Sequence, residues 1–170
     1  MSRTKVNFVA LVTAACLLGD SMLYVVLPIF PEQFGLNSLW EAGVLLAVNR
    51  FVRIPIHPFV NKFYEYFSTQ HGLFIGLILT IISTLLYGVL ETFLWLLCAR
   101  ILWGIAWAFL KQGGQLSVVD ATRESNQQSG KLTGLYNGIS RTGSLVGMLL
   151  GGVGAGLFGT DILCFVFAGV

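Results

Sequence analysis

Phe93-Leu94-Trp95-Leu96-Leu97-Cys98-Ala99-Arg100-Ile101-Leu102-Trp103-Gly104-Ile105-Ala106-Trp107-Ala108-Phe109-Leu110 carries one charge, Arg100, in an otherwise apolar run that continues to Gln115. Crossing about 30 Å of hydrocarbon takes about 20 mostly apolar residues at 1.5 Å of helical rise each, so this stretch reads as a membrane span. Working outward, similar runs occupy residues 7–30, 39–60, 72–90, 133–157 and 162–170, separated by short polar breaks. Five of the six are long enough to cross. The sixth reaches Val170 after about 14 Å of rise, half a bilayer, so the sequence reads as truncated within its sixth helix. Residues 1–170 are expected to form a single membrane domain, because no break could hold a folded soluble unit.

Composition agrees with that reading. The chain has 170 residues, 55% of them hydrophobic and 11% charged, with mean hydropathy +0.79, whereas soluble domains carry about 25% charged residues. A formal net charge of +2 without a basic run argues against a nucleic-acid partner. Cys16, Cys98 and Cys164 lie singly in apolar stretches with no metal-ligand spacing, so neither a metal nor any other cofactor is expected. Arg3 and Lys5 before an apolar run resemble a signal peptide, but the run continues to Phe30, too long for a cleaved segment. Residues 154–159 match the spacing GxGxxG without the strand that a dinucleotide site needs, and no protease, hydrolase or P-loop motif is present, so an enzyme is not expected.

Spans this apolar satisfy their backbone amides as helices, which predicts an all-α, polytopic helical bundle. Arg3, Lys5, Lys62, Arg123 and Lys131 fall on one side, while the opposite breaks contain Glu32, Glu91 and Asp161, so the N-terminus is expected in the cytoplasm. In the fifth span Gly143, Gly147 and Gly151 recur every four residues and Gly152 follows, a ridge of small residues that lets another helix approach closely and suits a moving hinge as well.

Asp20, Arg50, Arg53, Arg100 and Arg141 lie within the spans. A charge at the bilayer centre costs about 2.5–3.5 kcal/mol even on insertion scales, so these residues need partners or a water-filled cavity. Asp20 lies about 15 Å from the outer end of the first helix and Arg100 about 10 Å from that of the fourth, so the two can meet. Asn49, Arg50, Arg53 and His57 cluster on one side of the second helix, expected to face the bundle and to line a substrate cavity together with Arg141. One carboxylate against four guanidiniums leaves a cationic surplus. Trp40 and Trp95 read as interfacial anchors, with Trp103 also towards the outer end of its span.

These features together resemble the amino-terminal six-helix half of a major facilitator superfamily transporter, in its drug/proton antiporter-like branch. Arg100-Ile101-Leu102-Trp103-Gly104 resembles the family pattern R-x-x-Q-G with Trp103 in place of glutamine, and Gly147-Met148-Leu149-Leu150-Gly151-Gly152 resembles G-P-x-x-G-G with Met148 in place of proline. Residues 58–69 occupy the position of the family's loop motif, of which the acid Glu65 remains. Gly19-Asp20-Ser21-Met22-Leu23-Tyr24 is similar to the family's first helix, and Asn49-Arg50-Phe51-Val52-Arg53 to the second helix of some bacterial members.

The resemblance implies a secondary transporter, multi-pass in a bacterial plasma membrane, that moves a small-molecule substrate by alternating access with a carboxyl-terminal six-helix half or equivalent chain. It implies proton coupling through Arg100, paired with Asp20, and exchange motion supported by the glycines of the fifth helix. The alternative is a non-transporting assembly or regulatory subunit that keeps a half-transporter fold.

Overall fold

The computed structural model describes residues 2–89, 92–125 and 129–169. Its elements are α1 (Ser2–Ile29), a 3-10 turn (Pro31–Phe34), α2 (Leu39–Tyr66), α3 (Thr69–Val89), α4 (Phe93–Ser125), α5 (Ser129–Phe158) and α6 (Thr160–Ala168). The fold is an all-α membrane bundle, with no strand among the described residues. Arg3–Ile29, Thr69–Val89, Phe93–Glu124 and Ser129–Phe158 are each long and apolar enough to cross a membrane. α2 matches them at 28 residues but is less apolar, since it carries Arg50, Arg53 and Lys62. Rows of exposed apolar side chains, among them Phe74, Ile78, Ile82, Leu145, Leu149 and Val153, cover the outside of α3 and α5. A soluble monomer rarely exposes so much contiguous apolar surface, whereas a lipid-facing one must.

α1 lies along α5 and touches α4, which in turn packs on α3 and α2. The glycine ridge sets the first contact. A Cβ on Gly143 or Gly147 would overlap the backbone carbonyl oxygen of Ala14 or Leu18, and one on Gly151 would lie 2.7 Å from Met22 Cγ, so the two backbones run in direct contact over two turns. Gly152 is outside that line, with only an ordinary contact to Val25. Between the helices Ser21 and Ser144 share a 2.6 Å hydrogen bond. Lipid tails give no hydrophobic drive to associate, so close van der Waals contact of this kind is what binds such helices.

Helices run further than the apolar segments. The break expected over residues 116–132 is helical as far as Ser125 and again from Ser129, because Val118 and Ala121 of α4 and Leu132 and Tyr136 of α5 bury against Val6 and Ala10 of α1. α2 likewise continues past Val60 to Tyr66, where the Tyr64 hydroxyl donates to the Phe109 carbonyl oxygen at 2.8 Å over the bare backbones of Gly72 and Gly113. Glu65, expected in a loop, is therefore exposed in the last turn of this helix. Before α2, Ser38 Oγ accepts from the Glu41 N–H and Glu41 returns a carboxylate to the Asn37 N–H at 2.7 Å, a reciprocal cap. Lys5 of α1 pairs with Glu124 of α4 at 3.4 Å, so the start of α1 and the end of α4 lie on one side. Leu90 and Glu91 lie outside the described residues, as does the side chain of Asp161.

Candidate functional site

The polar heart of the bundle lies where α1, α2, α3 and α4 converge. Gly19 brings α1 against α3, with space for a Cβ only 3.1 Å from Thr84 Cγ2, and Gly104 brings α4 against the Asn49 carbonyl oxygen and Val52 of α2. These close approaches point Asp20 and Arg100 at each other. Arg100 Nη1 donates to Asp20 Oδ1, with side-chain exposures of 0% and 6%. A guanidinium this deep is strongly disfavoured unless its charge is answered. Besides the carboxylate, its carbon sits 5.4 Å from the Tyr87 ring centroid and 5.7 Å from that of Tyr24, within cation–π range.

A second guanidinium stands beside the pair. Arg53 Nη2 donates to Asn49 Oδ1 at 2.9 Å, and Asn49 Nδ2 reaches towards the Tyr24 hydroxyl at 3.5 Å. The Arg53 carbon lies 5.4 Å from the Trp107 ring centroid, and Trp107 stacks on buried Trp103 with centroids 6.3 Å apart. Tyr24 thus touches both charge systems. Arg50 is exposed on the same helix as Arg53 and lines a cavity of about 460 Å³ with Tyr24, Gly43, Leu46, Ala47 and Phe51.

Donors outnumber acceptors in this cluster. Arg53 Nε, Arg100 Nε, Arg100 Nη2 and Trp103 Nε1 are buried without a hydrogen-bond partner among the described residues. Each buried polar group left without a partner costs about 1–3 kcal/mol, more when charged.

Of the residues expected from sequence, the structure brings together Asp20, Asn49, Arg53 and Arg100, and sets Arg50 at the rim. Arg141 is not among them: it is exposed on α5, and its charge acts on Tyr136, which packs with Val6 and Val118 towards the N-terminal end of α1. Gly143, Gly147 and Gly151 hold α1 in place from behind. Trp103 does not sit at a span end with Trp40 and Trp95. It is 2% exposed, whereas they are 72% and 61% exposed. Sequence reasoning missed Tyr24, Tyr87 and Trp107 as parts of the cluster. Tyr87 had a legible signal, since Thr80, Ser83, Thr84 and Tyr87 recur at helical spacing as one polar stripe on an apolar helix, and all four are buried.

Residues 5–170 match the Major Facilitator Superfamily. The chain is similar to the "Probable vesicular acetylcholine transporter-B" of Danio rerio, 29% identical over 160 residues that cover 88% of this chain and 32% of that protein. It is also similar to the "Chromaffin granule amine transporter" of Rattus norvegicus, 28% identical over 65% of this chain and 21% of that protein, and to the "MFS-type transporter calB" of Penicillium decumbens, 28% identical over 80% and 24%. The chain spans about a third or less of the length of these relatives. With the match running through nearly every residue, the chain belongs to the Major Facilitator Superfamily.

Proposed function

We propose that this chain is the amino-terminal half, within the drug/proton antiporter-like branch, of a secondary transporter that moves a small molecule by proton-coupled efflux or exchange. The observation that carries the reading is the Asp20–Arg100 pair, an ion pair buried between α1 and α4 with two of the guanidinium nitrogens unanswered. The names of the relatives, all transporters, support it.

Protonating Asp20 removes the charge that holds Arg100. The freed guanidinium then takes an anionic group of the substrate or a carboxylate of the second half, and the change of partner favours a different packing of α1 against α4. The α1–α5 glycine contact leaves few side chains to unlock as the two helices slide, chiefly the Ser21–Ser144 hydrogen bond. One membrane domain of six helices works against a second, and the substrate cavity lies on the Asn49, Arg50 and Arg53 face. The chain resides in the plasma membrane of a bacterium with its N-terminus in the cytoplasm; the segregation of lysine and arginine supports the orientation.

The test is proton flux in proteoliposomes of the full-length protein, read by an entrapped pH dye while the external pH is varied. Asp20→Asn is expected to insert normally and to lose the pH dependence of transport. An unchanged pH profile in Asp20→Asn would show a pair that only fastens α1 to α4, with coupling located elsewhere.

A further inference from the structure

Resting on the proton-coupled reading of the Asp20–Arg100 pair, we infer that Tyr87 is a positioning residue that takes over Arg100 when Asp20 is neutralised, so that the guanidinium changes partner without leaving the bundle. Three buried atoms at the pair lack partners in a complementary way. Arg100 Nε and Nη2 are donors without an acceptor, and Tyr87 Oη is an oxygen without a hydrogen-bond partner, among the described residues. The two side chains are neighbours, since the Arg100 guanidinium carbon lies 5.4 Å from the Tyr87 ring centroid. Arg100 and Tyr87 are 0% and 4% exposed, so bulk solvent answers neither.

Other oxygens around the pair are already engaged. Asn49 Oδ1 accepts from Arg53, the Tyr24 hydroxyl accepts from Asn49 Nδ2, and Ser83 Oγ donates to the Ala99 carbonyl oxygen at 3.0 Å. Ser83 stands one turn before Tyr87, and its oxygen lone pairs suit the phenol proton, which leaves the phenol oxygen as an acceptor for a cation. While Asp20 is charged it holds Arg100 by Nη1 and fixes the guanidinium plane. A neutral carboxyl group loses the charge-assisted part of that bond, and the phenol oxygen then competes for the freed edge. The titratable and charged neighbours are Tyr24 on α1, Arg53 on α2, Tyr87 on α3 and Cys164 on α6 beside Tyr87, while Ser144 meets Ser21 from α5. None of these is a second carboxylate, so a neutral acceptor must receive Arg100 when Asp20 lets go.

The test is a double-substitution cycle on the purified full-length protein in detergent, with Asp20→Asn standing for the protonated carboxyl group. Tyr87→Phe is expected to leave the thermal midpoint of the wild type nearly unchanged and to lower that of Asp20→Asn by about 3 °C or more, because only there does the phenol hold the guanidinium. A second series needs no change at Asp20. Between about pH 8 and pH 5 the midpoint gap between wild type and Tyr87→Phe should open as the pH falls, since acid neutralises Asp20, and in the Asp20→Asn background it should stay constant. An equal effect of Tyr87→Phe in both backgrounds overturns the inference, as does a gap that opens with acid even in Asp20→Asn. Coupled midpoints with proton flux that ignores Asp20→Asn uphold the hand-over while removing the proton-coupled reading. Asp20-dependent flux with additive midpoints does the reverse.

Discussion

Gly147→Ala tests what holds α1 in register with α5. A methyl at position 147 would lie 2.9 Å from Leu18 Cα and closer still to the Leu18 carbonyl oxygen, both of them backbone atoms that no rotamer change can move. Carbon atoms pack at about 3.5–4.0 Å, so the helices must part locally by about 0.6–1.1 Å. That separation also loosens the neighbouring Gly143 and Gly151 contacts and stretches the 2.6 Å Ser21–Ser144 hydrogen bond beyond its usual range. Overpacking of this sort costs about 1–3 kcal/mol and a weakened hydrogen bond about 0.5–1.5 kcal/mol, against about 1 kcal/mol gained from alanine's better helix propensity. The net expectation is a loss of about 0.5–3.5 kcal/mol. Gly156→Ala on the same helix is the control, since nothing lies within 4 Å of a Cβ there and only the propensity gain applies. Thermal midpoints of both variants in one detergent, followed by tryptophan emission, should fall for Gly147→Ala and hold or rise for Gly156→Ala. A Gly147→Ala midpoint equal to that of Gly156→Ala would refute direct backbone contact as the source of α1–α5 cohesion.

Removing one partner of the buried pair should be worse than removing both: Arg100→Leu is expected to cost about 3–5 kcal/mol and Asp20→Leu with Arg100→Leu distinctly less, measured as the yield of monodisperse protein and its thermal midpoint. Tyr64→Phe, which deletes only the hydrogen bond to the Phe109 carbonyl, should cost about 0.5–1.5 kcal/mol, while Tyr64→Ala, which empties the space over Gly72 and Gly113, should cost about 3–5 kcal/mol by the same measurement. Reporter fusions after Gln33 and after Ser68 should report opposite compartments, the second cytoplasmic; equal readings would refute the proposed orientation.

The sequence by itself determined the solvent. Apolar runs such as residues 93–110 have one stable form in lipid, a helix, and that conclusion needs no tertiary information because the backbone must satisfy itself locally. It also determined that Asp20 and Arg100 sit at compatible depths, since rise per residue is fixed, and that Gly143, Gly147 and Gly151 form one ridge, since helical spacing is fixed. What it left open was rotation and contact. Arg50 and Arg53 are three residues apart on one helix, yet Arg53 is turned to Asn49 and Trp107 while Arg50 faces outward, a difference set by where α4 crosses α2 at Gly104. Arg141 has the same chemistry and a similar depth as Arg53, but its place on α5 carries it away from the cluster. The extension of α4 and α5 through the polar break was hidden for the same reason: Val118 and Leu132 are too sparse to announce a helix, and only the presence of Val6 and Ala10 across the gap makes burying them worthwhile. Residue type and spacing fix what a helix can offer, but only its neighbours decide which side of it is used.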